Sequence, residues 1–201
     1  MRVGCVYINA GKGHYSPAKA IADALRAQGV EARMVDFFGM IDAPRLDRLN
    51  QRIWRWQLRF PKIEQFVNGR ADHSKTIRKL FAAMQNVLYR RKFADWISLN
   101  RPDALICTHY MPSLTLPVLI RSLGLDIPVF AYASDVFTTP SAGLHEDLAK
   151  FYICTQEGVE HVTATGFPRD KTLLAAFPIQ SSCVAATPLT KQEARAKLGL
   201  K

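Results

Sequence analysis

The stretch Val3-Gly4-Cys5-Val6-Tyr7-Ile8-Asn9-Ala10-Gly11-Lys12-Gly13-His14 decides the fold. Val3 to Ile8 is a near-continuous apolar run, the pattern of a strand buried on both faces of a parallel sheet. Ser16 then reads as a helix N-cap and Pro17 as the first helical residue. Ala18, Ile21, Ala22 and Leu25 recur at helical spacing, with Lys19, Asp23 and Arg26 turned to water. Strand, glycine turn and helix together predict the opening unit of an open α/β domain. In such domains the turn at the carboxyl end of the strand faces a helix N-terminus, and ligands bind there. Gly11, Gly13 and His14 are therefore candidate binding residues.

Two phosphate-binding loops compete for this turn. A Walker A loop has Ser or Thr after its Gly-Lys; here Gly13 follows Gly11-Lys12, which excludes it. The dinucleotide fingerprint fits better: Gly11 and Gly13 have its spacing, and Asp36 ends the second apolar run. However, Ser16 stands where the third glycine belongs, and Lys12 and His14 crowd a loop that needs bare backbone. A nicotinamide-binding protein stays as an alternative.

The order of segments extends the α/β reading. Glu31–Phe37 is a second strand, and residues 44–100 are a long helical stretch broken near Pro61 and at Asn68-Gly69. Strands follow at 104–108, 127–133, 151–154 and about 172–176, separated by helices near 112–123 and 157–164. This alternation predicts a doubly wound, mostly parallel sheet, Rossmann-like, with 44–100 as a helical insertion. Residues 1–179 read as one domain. Residues 180–189 have linker composition, and Thr190-Lys191-Gln192-Glu193 is a capping box that opens a helix. We read 180–201 as a linker and the start of a further domain.

The chain has 201 residues, enough for one domain with a real core. No apolar run approaches the roughly 18 residues of a spanning helix. Only Arg2 precedes the N-terminal apolar run, which reads as a strand and not as a signal peptide. Cys5, Cys107, Cys154 and Cys183 are far apart and have no metal-ligand spacing. They predict buried free thiols in a cytoplasmic protein, with no metal and no cofactor.

The net charge is +10, and its location matters more than its size. Residues 45–95 hold thirteen Lys or Arg and four Asp or Glu, which is nearly all of the excess. Within them Leu46, Leu49, Ile53, Trp56 and Phe60 form one apolar stripe at helical spacing. Arg45, Arg48, Arg52, Arg55 and Arg59 flank it, and Trp54 adds an aromatic. Arg90-Arg91-Lys92 stand beside Phe93 and Trp96. Such a pattern suits a helix lying on an anionic membrane surface. The membrane-contact candidates are Arg48, Arg52, Trp54, Arg55, Trp56, Arg59, Arg90, Arg91 and Lys92. An ordinary core-facing helix with a solvated basic face is the alternative. Charge alone also permits a nucleic-acid binder, but no nucleic-acid motif is present and no such partner is expected.

An open parallel sheet gathers its strand-end residues on one edge. Gly13, His14, His109, Ser134, Asp135 and His145 are expected there. A histidine near a carboxylate is the basic unit for taking a proton from a hydroxyl near neutral pH. Simpler roles stay open: His109 as an end cap, Asp135 as a turn cap, His145 as a solvated loop residue.

The sequence resembles the N-terminal half of the monogalactosyldiacylglycerol synthase and processive diacylglycerol glucosyltransferase family, which are GT-B glycosyltransferases. It is more distantly similar to the peptidoglycan enzyme that adds N-acetylglucosamine to a lipid carrier. The residues that carry the resemblance are Ala10-Gly11-Lys12-Gly13-His14 with Ala18 and Ala20, and Pro102-Asp103-Ala104-Leu105-Ile106-Cys107-Thr108. Ser134-Asp135, His145-Glu146-Asp147, Phe151-Tyr152-Ile153, Gly166 and Phe177-Pro178-Ile179 continue it nearly end to end. The resemblance implies a domain that binds a diacylglycerol-type lipid acceptor on the cytoplasmic membrane face, with the nucleotide sugar held by a C-terminal domain. It places the catalytic base on His14, an acidic partner on Asp135 and a loop histidine on His145. Gly11, Gly13, His109 and Ser134 would help hold acceptor or donor. The chain departs from the family at Gly143, where a tryptophan is usual, at Ala149, where an aspartate is common, and at Ala176–Ser181. The reading is the acceptor-binding part of a glycolipid synthase. A non-catalytic peripheral lipid-binding domain is its alternative.

Overall fold

Six strands form one sheet of order β2-β1-β3-β4-β5-β6, with every neighbouring pair parallel. The computed structural model describes residues 1–9, 12–60, 75–134, 141–184 and 189–200. The strands are β1 (Arg2–Tyr7), β2 (Glu31–Asp36), β3 (Ala104–Cys107), β4 (Val129–Tyr132), β5 (Lys150–Ile153) and β6 (Thr172–Leu174). The helices are α1 (Lys12–Ala27), α2 (Phe37–Met40), α3 (Pro44–Arg59), α4 (Lys75–Asn100), α5 (Tyr110–Ser122), α6 (Gln156–Ala164), α7 (Ser181–Val184) and α8 (Lys191–Lys197). The expected doubly wound, Rossmann-like sheet is therefore the observed one.

The apolar run of β1 is buried because it lies between β2 and β3, with helices on both faces. On one face Cys5 packs with Ala18 and Ala22 of α1, whose small side chains let the helix lie close to the strand. On the other, Val6, Leu105 and Cys107 meet Phe93 and Ile97 of α4 and Leu116 and Leu119 of α5. Gly4 allows this packing, since a Cβ there would lie 2.7 Å from the Leu105 Cδ2. Helices α4 and α5 are also joined by polar contacts: Thr115 Oγ1 donates to Gln85 Oε1, and Ser122 Oγ donates to Asn86 Oδ1 at 2.8 Å.

Several local expectations change. Helix α1 begins at Lys12, a full turn before the expected cap at Ser16. Its first turn is held from outside, by the Thr108 hydroxyl donating to the His14 carbonyl at 2.7 Å. Pro17 is tolerated there and only leaves the Gly13 carbonyl without its i+4 donor. The second strand stops at Asp36, and Phe37 opens α2, because the Asp36 carboxylate caps that helix by accepting from the Gly39 N–H at 2.9 Å. Helix α5 likewise starts at Tyr110, ahead of Pro112. Within the 44–100 insertion, α3 and α4 are helical and the break at Pro61 and Asn68-Gly69 lies outside the described residues. Part of the expected linker is the helical turn α7, which returns against α1. The capping box of α8 is present, with Thr190 and Glu193 exchanging hydrogen bonds.

All four cysteines are free thiols, but only Cys5 and Cys107 are buried; Cys183 is exposed, because α7 lies on the surface. Burial pushes the Cys5 thiol up to about 11 and raises that of Cys107 further.

Asp36 gives a stability test. Burial raises its carboxyl, the Gly39 hydrogen bond opposes this, and the nearby Asp47 raises it again. Oδ1 of both carboxylates is buried without a hydrogen-bond partner among the described residues. The ionised form is thus disfavoured in the folded state, a cost present at neutral pH and absent below the carboxylate range. Asp36→Asn keeps the cap acceptor and supplies a donor beside Asp47. Thermal unfolding at pH 7 should show a gain of about 1 kcal/mol, the worth of one hydrogen bond. The gain should vanish near pH 3, roughly below the ordinary carboxylate range, where Asp36 is neutral in the folded and the unfolded chain alike.

Candidate functional site

The strand order reverses between β1 and β3, so the chain leaves their carboxyl ends in opposite directions and opens a crevice there. His14 comes to this crevice from the first turn of α1, Thr108 and His109 from the end of β3, and Ser134 from the end of β4. Thr108 continues the ladder past β3, its N–H donating to the Val6 carbonyl at 3.0 Å. That fixes its own carbonyl at the crevice floor, where His14 Nδ1 lies 2.8 Å from it. Ser134 Oγ lies 2.8 Å from the same nitrogen and 3.2 Å from the Thr108 carbonyl oxygen. His14 is thus tied to Thr108 twice, through its ring and through its own carbonyl.

His109 is the N-cap of α5: its Nδ1 accepts from the Met111 N–H at 3.1 Å. The ring is buried, packs edge-on to His14 with centroids 4.4 Å apart, and stacks on Tyr110 at 4.4 Å. Burial, reinforced by His14, holds its ionisation well below the usual histidine range. It is a neutral wall and a cap, which absorbs the simpler role left open for it. Gly143 closes the crevice from the β4–β5 loop. A Cβ there would lie 2.8 Å from the Tyr110 Cα, so the tryptophan usual in the resembled family has no room.

Other sequence candidates separate from this cluster. Gly13 is exposed on the first turn of α1. Gly11 and Asp135 lie outside the described residues. His145 is not beside His14. It lines a second cavity of about 230 Å³ with Lys79, Leu144 and Phe167, because its loop runs back toward the start of β5. Its Nδ1 accepts from the Asp147 N–H at 3.2 Å, and burial lowers its ionisation. Thr108 was missed as a site residue. Its signal was a hydroxyl residue closing the apolar run Ala104–Cys107, directly before a histidine.

The membrane candidates divide as well. On α3, Leu49, Ile53, Trp56 and Phe60 are 50%, 46%, 49% and 46% exposed, beside exposed Arg48, Arg52, Trp54, Arg55 and Arg59. The stripe is therefore not core-facing, save for Leu46, which packs on the core edge. On α4, Arg90, Arg91 and Lys92 are exposed, but Phe93 and Trp96 turn into the core. Arg90 donates to the Ser122 carbonyl at 2.9 Å and Lys92 pairs with Asp42 at 3.0 Å. A second exposed apolar stripe on α4, at Leu80, Met84, Val87 and Leu88, was not anticipated. No described helix is long and apolar enough to cross a membrane.

With this geometry in view, the chain can be set beside known proteins. No protein-family profile matches it. It is 22% identical over 182 residues to the uncharacterized glycosyltransferase YkoN of Bacillus subtilis (strain 168), covering 88% of this chain and 47% of that protein. The crystal structure of Acinetobacter baumannii MurG aligns over 94% of this chain and 50% of its own, at 16% identity and a TM-score of 0.50. UDP-N-acetylglucosamine 2-epimerase from Rickettsia bellii aligns over 100% of this chain and 52% of its own, at 12% identity and a TM-score of 0.52. The chain spans about half the length of each. The fold is one Rossmann-like half of a GT-B architecture. A fold shared at such low identity does not choose the reaction; the sequence likeness is to a glycosyltransferase.

His109 yields a pH test. The unfolded chain takes up a proton near pH 6.5 that the folded chain refuses, so stability falls as pH drops below about 6.5. Each such histidine adds at most about 1.4 kcal/mol per pH unit, and His145 acts in the same sense. His109→Asn retains a capping side chain. Its unfolding free energy, measured from pH 7 to 5, should fall less steeply than that of the parent.

Proposed function

We propose that this chain is the acceptor-binding half of a glycosyltransferase that passes a sugar from a nucleotide donor to a lipid hydroxyl, with His14 as general base. The observation that carries the reading is the position of His14. It sits at the switch point of a GT-B-type sheet, its ring tied by Nδ1 to the end of β3. A half-buried imidazole at such a crevice suits removal of a hydroxyl proton near neutral pH. The nucleotide sugar would be bound by a second domain, as the half-length coverage of the relatives suggests. In an enzyme carrying both halves, His14→Ala should lower turnover by about 10²–10⁴-fold, the usual cost of losing a general base. Unchanged turnover rejects the assignment.

The acceptor proposed is diacylglycerol or a similar lipid, reached from an anionic membrane surface on the cytoplasmic side. Its support is the pair of exposed apolar stripes on α3 and α4 amid the basic excess. Arg48, Arg52 and Arg59 make no ion pair among the described residues, so their charge is available to phosphates. Each basic residue near such a surface contributes about 1 kcal/mol, reduced by salt. Sedimentation with vesicles should show binding that needs anionic lipid, weakens with salt, and drops when Arg48, Arg52 and Arg55 are changed to Glu. Equal binding to neutral vesicles overturns the electrostatic part. A lipid-binding domain without turnover is the outcome if vesicle binding holds and the parent, carrying both halves, transfers no sugar.

A further inference from the structure

We infer that Ser134 is a positioning residue which, with the Thr108 carbonyl, presets the tautomer of His14. The inference rests on reading His14 as the base. A backbone carbonyl only accepts hydrogen bonds. The 2.8 Å contact between His14 Nδ1 and the Thr108 oxygen therefore requires the proton on Nδ1. Ser134 Oγ, 2.8 Å from the same nitrogen, shares that proton as a second acceptor. Its own hydroxyl proton goes to the Thr108 oxygen, 3.2 Å away. Every hydrogen bond in this triangle is consistent with one proton placement. In the neutral ring this placement leaves the lone pair on Nε2, which has no hydrogen-bond partner among the described residues.

The backbone is held to the same standard. Thr108 Oγ1 donates to the His14 carbonyl at 2.7 Å, and the Thr108 N–H is fixed on Val6. The ring cannot swing without breaking a contact to the centre of the sheet. His109 fills the adjoining space as a ring that burial keeps uncharged. No described carboxylate touches His14. Among the described residues, a carbonyl and a hydroxyl stand in for the acid that usually orients a catalytic histidine. The second acceptor of the ring proton is a side chain, so it can be deleted without touching the backbone.

The test is a nitrogen NMR measurement on this chain with labelled histidine, about two pH units above the ordinary histidine value of ~6.5. His14→Gln identifies the signal. His14 should show a single tautomer, protonated at Nδ1, in the parent and in Asp135→Asn. Ser134→Ala should move it to a mixture with the Nε2-protonated form, and Ser134→Thr should restore the single form. Retained thermal unfolding in Ser134→Ala separates loss of orientation from loss of fold. In an enzyme carrying both halves, Ser134→Ala should lower kcat by about 2- to 12-fold, what one hydrogen bond is worth, with KM unchanged. An Nε2-protonated parent, an unchanged tautomer in Ser134→Ala, or the same shift in Asp135→Asn overturns the inference. A fully active His14→Ala enzyme beside an Nδ1-protonated parent instead rejects His14 as base and leaves the orientation standing.

Discussion

Parallel pairing of β1 with β3, in the register that sets Val6 beside Cys107, is the constraint from which the rest follows. It puts the two chain exits side by side and sends them apart, α1 toward β2 and α5 toward β4. It also sets the Val6 carbonyl opposite the Thr108 N–H, so Thr108 is placed by the sheet itself and not by a loop. His14 is then located by Thr108. The chain of cause runs from apolar patterning, through strand register, to an imbedded carbonyl and the ring that donates to it. A loop-borne histidine without such an anchor would cost entropy to hold in one geometry.

Much of this was legible in the residues because the signals were strong and local. Six strands in a mostly parallel sheet follow from apolar runs alternating with helical periodicity, and the capping box at Thr190-Glu193 follows from its four residues alone. Boundaries failed where tertiary contacts outweighed local preference. Ser16-Pro17 is a sound helix opening on its own terms, yet the Thr108 hydroxyl extends α1 backward to Lys12. Phe37 looked like the last residue of a strand, but the Asp36 carboxylate turns the chain into α2.

The site was partly legible for the same reason. That His14, His109 and Ser134 meet at one edge follows from topology alone. What each contributes depends on which atom faces which, and periodicity carries no such information. His109 turned out to be spent on capping α5 and lining the crevice, and His145 belongs to another cavity. The basic helices show the converse limit. Apolar stripes at Leu49-Ile53-Trp56 and at Phe93-Trp96-Ile97 look alike in sequence, yet the first is exposed and the second is core. The difference is what lies opposite: α4 packs along α5 beneath the sheet, whereas α3 meets the body chiefly through α2.

The cysteines give the molecule an internal clock. Cys5 and Cys107 lie on adjacent strands at the centre of the sheet, and burial keeps both as unreactive thiols. A thiol reagent reaches Cys5 only when α1 lifts from its face of the sheet, and Cys107 only when α4 and α5 lift from the other. Cys183, on the exposed turn α7, answers to the reagent without any such opening. Set against the fast surface signal of Cys183, the slow rates at Cys5 and Cys107 measure how often each face of the sheet is uncovered.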